Sequence, residues 1–238
     1  MTSSCPVIAH RGAWGPAAPG APVENTLEAF EAAIALGADM IELDVRRTRD
    51  RHLIVFHDAR VKTIPTGSLR YEAVRAKGTR ARPPLLSEVL ALTRDRISLN
   101  LEVKEAGYVE ETIALLRPFG LERCLLSSFL DEVVVEAKAL APELRTGLLV
   151  ATGLRRALTT RLPASRADCL VLHRRLADAA ALASAAAAGI PCVIWTVNAP
   201  RAMDRYLGHD AVEGIITDRP ALALERRAHF DGAQRRQT

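Results

Sequence analysis

The segment M-I-E-L-D-V-R-R-T-R-D-R-H-L-I-V-F-H-D, Met40 to Asp58, decides how the chain is read. Glu42 and Asp44 are two residues apart on an apolar, β-branched run, so in a strand both carboxylates point to the same side. A second apolar run, Leu53 to Phe56, follows and ends in His57. A parallel crossover needs about a dozen residues. The gap here is shorter, so the two runs are expected to form an antiparallel hairpin turning near Asp50 and Arg51. That register sets His57 roughly opposite Asp44. An imidazole delivered beside two convergent carboxylates points to a metal and acid/base site.

Working outward, P-V-I-A at Pro6 to Ala9 is a short strand that stops at His10-Arg11-Gly12. The Pro- and Gly-rich run Ala13 to Pro22 reads as a surface loop, either a lid or a substrate wall. Asn25 is expected to cap the next helix, with Glu28 completing a capping box and Gly37 ending it. Beyond the hairpin, 59–84 reads as an irregular excursion with one short helix around Tyr71 to Ala76. Ile97 to Val103 is a strand on which Asn100 and Glu102 share one face with Lys104, while Leu99, Leu101 and Val103 face helices.

Apolar segments then alternate with helical patterns to the end of the chain. Strands starting at Val7, Met40, Ile97, Cys124, Thr146, Cys169, Cys192 and Gly214 make eight. The fold class is therefore α/β, a (β/α)8 TIM barrel with a β-hairpin and a short insertion after the second strand. One barrel domain is expected over 1–227, closed by a helix at Ala221 to Arg227 and followed by a basic C-terminal tail at 228–238. Active sites of such barrels lie at the C-terminal strand ends, where His10, Glu42, Asp44, Glu102, Lys104 and Trp195 all fall.

Composition sets the bounds. The chain is 49% hydrophobic and 25% charged, an ordinary globular balance. No apolar run is long enough to span a bilayer, and the start MTSSCPVIAHRG lacks a basic region followed by a long apolar one, so stable membrane insertion is not expected. Cys5, Cys124, Cys169 and Cys192 are dispersed and read as buried reduced thiols, which suits a cytoplasmic protein. The net charge of +4 is spread rather than clustered. This argues against a nucleic-acid groove and for a small anionic substrate. No oligomeric state is read from the sequence.

Three carboxylates on adjacent strand ends, Glu42, Asp44 and Glu102, make an all-oxygen site for one divalent cation, Mg²⁺ or Ca²⁺, rather than zinc. Arg11 and Lys104 would hold an anionic substrate against it. His10 and His57 supply an acid and a base. Metal-assisted phosphoryl cleavage uses every part. Trp195 is a candidate either for stacking on the substrate or for plugging the barrel. Glu24 and Asn25 are candidates for reaching the site, although capping gives Asn25 a sufficient role. His173 is expected at the mouth, and His52, His209 and His229 in solvent.

H-R-G at His10, E-N-T-L-E-A-F at Glu24, G-A-D-M-I-E-L-D-V at Gly37, H-D at His57, L-N-L-E-V-K at Leu99, S-S-F at Ser127, W-T-V-N at Trp195 and G-I-I-T-D-R-P at Gly214 occur in this order over nearly the whole chain. The ordered set resembles the glycerophosphodiester phosphodiesterases. The resemblance implies hydrolysis of a small-molecule glycerophosphodiester to glycerol 3-phosphate and an alcohol. It also implies a divalent cation on Glu42, Asp44 and Glu102, His10 and His57 as the acid/base pair, and phosphate contacts from Arg11 and Lys104. Two other outcomes stay open at this level: a related barrel lyase that releases cyclic phosphates, and a non-catalytic phosphate-binding barrel.

Overall fold

The computed structural model describes residues 5–15, 21–76 and 81–234. The middle of the loop expected over 13–22, residues 16–20, lies outside the described residues, as do 77–80 of the excursion and 235–238 of the tail.

In chain order the strands are β1 (Val7–His10), β2 (Met40–Arg47), β3 (Leu53–Val55), β4 (Arg60–Val61), β5 (Ile64–Pro65), β6 (Ser98–Val103), β7 (Cys124–Ser128), β8 (Arg145–Val150), β9 (Cys169–His173), β10 (Cys192–Trp195) and β11 (Val212–Thr217). The helices are α1 (Leu27–Leu36), α2 (Tyr71–Ala76), α3 (Leu86–Thr93), α4 (Val109–Leu116), α5 (Asp131–Leu140), α6 (Leu154–Arg156), α7 (Leu162–Ser165), α8 (Ala179–Ala187), α9 (Pro200–Leu207) and α10 (Pro220–Gln234). A π turn at Ala157–Arg161 joins α6 to α7. Strands β1, β2 and β6 to β11 run parallel in ring order, and β1 closes the ring by pairing with both β2 and β11. The described residues thus form the expected eight-stranded barrel, with β3 as an added antiparallel strand on β2.

Strand alternation divides the interior. Outward residues such as Ile41, Leu43, Leu99 and Leu101 are fully buried under helices, each worth about 1.5–3 kcal/mol of burial. Inward residues Ile8, Leu125, Leu149, Val171, Val193 and Ile216 fill the barrel. Toward the C-terminal ends the inward rows turn polar. At Gly147 on β8 a Cβ would come within 2.8 Å of Val171, so only glycine leaves room for the packed interior there.

Three expectations are corrected. The turn between β2 and β3 pairs Val45 with Val55 and Arg47 with Leu53, which centres it on Asp50, and Arg51 takes a left-handed φ of 64°. Phe56, not His57, therefore stands opposite Asp44, its N–H donating to the Asp44 carbonyl at 2.9 Å. His57 lies one residue further, past the end of β3. Thr26, not Asn25, caps α1, its hydroxyl accepting the Ala29 N–H, while Asn25 adopts a φ of 57°. The last helix, expected to stop at Arg227, runs on to Gln234 through the start of the expected tail.

The excursion after β3 contains the small β4–β5 hairpin and α2, then returns to where it began: the Val55 N–H donates to the Pro84 carbonyl at 2.8 Å. The four cysteines are free and buried. No helix among the described residues is long and apolar enough to cross a membrane.

At the N-terminal end of the barrel, Asp168 accepts the Thr146 N–H (2.6 Å) and hydroxyl (3.1 Å) and pairs with Lys138 (2.7 Å). Burial alone would raise its pKa, but Lys138 and the Thr146 N–H outweigh this and hold it below the ordinary value. A lowered carboxylate stabilises the fold above its unfolded pKa and loses that contribution as pH falls through its folded one. Asp168→Ala should cost about 1–2 kcal/mol at neutral pH. In urea melts, the gap to wild type should close in acid, and an equal gap at both pH values would refute the assignment.

Candidate active site

Registration brings the polar rows together. β1 pairs with β2 so that His10 lies beside Glu42, and β2 pairs with β6 so that Glu42 meets Asn100 and Asp44 meets Glu102. Adjacent strands are about 4.8 Å apart. Glu42, Asp44 and Glu102 consequently offer oxygens that all lie within 4.8 Å of one another, and all three residues are buried.

Such crowding demands cations. Lys104 Nζ stands 2.6 Å from Glu102 and 2.7 Å from Asp44 Oδ1. Arg11 Nε is 3.1 Å from Asp44 Oδ2, its Nη1 donates to Glu24 at 2.9 Å, and its backbone N–H donates to Glu42 at 3.1 Å. Arg11 is placed by the H-R-G turn, in which it takes a φ of 58° and Gly12 one of 89°. A Cβ on Gly12 would lie 2.8 Å from the Ala29 backbone, so the turn packs against α1 only with glycine.

Burial, and then the charge of Asp44, push the Glu42 carboxyl up to about 8. At Asp44 burial acts in the same direction, but Lys104 and Arg11 outweigh it and bring the group down to about 2. Glu102 is raised by burial more than Lys104 lowers it. Asp44 Oδ1 is buried and faces the Lys104 ammonium at 2.7 Å. Three clustered hard oxygen donors fit a divalent cation.

The histidines flank this cluster. His10 Nδ1 is 2.5 Å from Asp218 Oδ1, and His10 Nε2 faces Glu42 at 3.8 Å. Burial would lower the His10 pKa, but the Asp218 hydrogen bond and the Glu42 charge raise it overall. His57 is more exposed, and its Nδ1 lies 3.0 Å from Asp58. Trp195 lies at the mouth on the end of β10. Its indole N–H donates to the Val171 carbonyl at 3.0 Å, and its ring meets His173 and Phe129 edge-on.

Two participants, Arg46 and Asp218, escape the sequence reading, and a third is given mainly another role by it. Asn25, assigned to a cap, instead donates to Asp44 Oδ2 at 2.7 Å. Arg46, the next inward residue after Asp44, donates Nε and Nη2 to the His57 carbonyl at 2.9 and 2.8 Å and pairs with Glu105. Asp218 is two residues after the inward Ile216 and is itself held by Asn198 at 2.6 Å. The period of two that located Glu42 and Asp44 also reaches Arg46 and Asp218.

A family model described as the glycerophosphoryl diester phosphodiesterase family matches residues 10–222. The chain belongs to that family. A glycerophosphodiester phosphodiesterase from Caldanaerobacter subterraneus subsp. tengcongensis is 33% identical over 241 residues, covering 92% of this chain and 96% of its own. A phosphodiesterase from Oleispira antarctica, solved in complex with the product sn-glycerol-3-phosphate, is 27% identical with a TM-score of 0.79, covering 94% of this chain and 96% of its own. A Thermotoga maritima glycerophosphodiester phosphodiesterase, 24% identical, shares the fold with a TM-score of 0.78, covering 94% of this chain and 99% of its own. The barrel is thus that of a phosphodiesterase, an enzyme of glycerophosphodiester hydrolysis.

The raised Glu42 carboxyl has a measurable consequence for this phosphodiesterase. Between its unfolded value near 4.5 and its folded value of about 8, the folded state binds more protons than the unfolded one. Stability therefore falls as pH rises through that window. In EDTA, Glu42 should lower stability by up to about 2 kcal/mol from about pH 5.5 to about pH 7.5. Glu42→Gln should flatten the decline in thermal melts, and an unchanged slope would contradict the placement of its carboxyl.

Proposed function

We propose that this single-domain phosphodiesterase hydrolyses a small-molecule glycerophosphodiester to sn-glycerol 3-phosphate and an alcohol, with His10 and His57 as the proton-transfer pair. Glu42, Asp44 and Glu102 would hold one divalent cation, Mg²⁺ or Ca²⁺. The observation that carries this reading is the buried three-carboxylate cluster, flanked by imidazoles that follow two different strands. When bound, such a cation supplies positive charge to the phosphoryl oxygens.

The chain's own groups do the rest. Ammonium has three N–H donors and guanidinium five. Lys104 gives two contacts to Asp44 and Glu102, and Arg11 engages Asp44 and Glu24, so each retains N–H groups for a phosphate oxygen. Glu24 orients Arg11, and Trp195 forms part of the wall at the mouth. With Nδ1 held by Asp218, His10 exchanges its proton at Nε2, the nitrogen that faces the cluster. His57 has Nδ1 beside Asp58, which leaves Nε2 as the nitrogen available for proton transfer. One imidazole takes the proton of the attacking hydroxyl, of water or of the substrate's own glycerol, as the new P–O bond forms. The other gives a proton to the departing alcohol as its P–O bond breaks. Where the glycerol hydroxyl attacks, water then opens the cyclic phosphate to the monoester with the two imidazoles in exchanged roles. The free buried cysteines suit action in the cytoplasm.

Incubation with glycerophosphoglycerol followed by phosphorus NMR should show a monoester, sn-glycerol 3-phosphate. Excess EDTA should stop its release and Mg²⁺ or Ca²⁺ should restore it. His10→Ala and His57→Ala should each lower kcat by about 10²–10⁴. Undiminished turnover in EDTA or in either variant would sink the reading, and a cyclic phosphate as end product would replace hydrolysis with lyase chemistry.

A further inference from the structure

A cleft of about 610 Å³ lies between the loop after β1 and the excursion after β3. Its lining includes Glu24, Asn25 and His57, so it lies beside the carboxylate centre, whose three acids are not in its wall. Trp14 and Phe56 contribute aromatic surface, and the Trp14 indole is fixed by donating to the His10 carbonyl at 2.9 Å. A volume of several hundred Å³ exceeds what a scissile phosphate alone fills. It accommodates the alcohol half of a diester.

The charges in this cleft are unevenly satisfied. Its two acids, Glu24 and Asp58, already have partners in Arg11 and His57. The excursion adds Arg60, Lys62 and Arg82. Arg82 is paired with Glu88. Arg60 donates to the Thr63 carbonyl at 2.6 Å and meets no carboxylate, and Lys62 makes no hydrogen bond or ion pair among the described residues. Lys62 sits at the tip of the β4–β5 hairpin with a φ of 55°, a position where glycine or asparagine would be less strained. Some arginines elsewhere are matched by acids, as in Arg96–Glu31, Arg123–Asp95 and Arg226–Asp204, and others, such as Arg155, Arg156 and Arg201, are not matched among the described residues. What sets Arg60 and Lys62 apart is their place on the wall of this cleft. Arg60 is three residues from His57, at most about 10 Å along the chain.

We infer that this cleft is a head-group subsite that selects glycerophosphodiesters whose alcohol carries a second phosphate, held by Arg60 and Lys62. The inference rests on the proposed hydrolysis and adds its substrate class. A choline or ethanolamine head group would set a cation against these two side chains, whereas a terminal phosphate would accept hydrogen bonds from both. The selection is electrostatic and partly exposed, so it weakens with ionic strength.

The test compares a matched pair, glycerophosphoglycerol and the same diester phosphorylated on its distal glycerol, with glycerophosphocholine as the cationic contrast. The wild-type enzyme should favour the phosphorylated member by about tenfold in kcat/KM, mainly through KM, with less preference at high salt. The double variant Arg60→Glu/Lys62→Glu, shown to be folded by its thermal melt, should bring the ratio to one or below. Arg117→Glu, at the C-terminal end of α4 and outside the cleft, should keep it. Equal turnover of the pair by wild type, a preference for glycerophosphocholine, or a preference surviving in the double variant would overturn the subsite while leaving the hydrolysis intact. Failure to release sn-glycerol 3-phosphate from any of the three would remove the underlying reading instead.

Discussion

The pairing of β2 with β6 sets Asp44 against Glu102 at the spacing of neighbouring strands, and the strand period adds Glu42 on the same side. Three acids held so close and so deeply buried repel one another, and a fold tolerates this only with compensation. Much of the surrounding architecture supplies it. Lys104 extends from the end of the same strand as Glu102, Arg11 turns in from the H-R-G corner, and Asn25, one residue before the α1 cap, donates to Asp44. Burial, together with the repulsion from Asp44 that remains, appears in the elevated Glu42 carboxyl.

The barrel makes this crowding possible by separating structure from chemistry along its axis. Apolar residues such as Ile8, Val171 and Ile216 fill the interior, and fully buried Leu43 and Leu101 lock the staves to the helices. The reactive side chains stand on the ends of strands that are held from both sides. Further links fix the pieces that come from loops: Asp218 aligns the His10 ring, and Arg46 grips the backbone of His57.

Most of this architecture was legible in the sequence because it depends on simple periods. Alternation identified the eight strands, and the short gap after Arg47 distinguished a hairpin from a crossover. The same alternation put Glu42, Asp44, Glu102 and Lys104 on one side. The errors arose where a single residue of register matters. Centring the turn between Asp50 and Arg51 moved His57 opposite Asp44, whereas the left-handed Arg51 shifts the pairing by one. Asn25 and Thr26 are both good caps by residue type, and only the tertiary demand of Asp44 decides which one performs that role. Asp218 was hidden for a different reason: its partner His10 is at the other end of the chain, and joins it only when β1 closes against β11.

The hydrogen bond from Val55 to Pro84 makes the excursion after β3 a loop whose two ends meet. The ring of parallel strands is complete without it. Closing such a loop becomes only slowly harder as it lengthens, so the block can be shortened, enlarged or exchanged with little effect on the scaffold. Diversification among proteins sharing these staves can therefore proceed by editing one contiguous cassette beside an unaltered reaction centre.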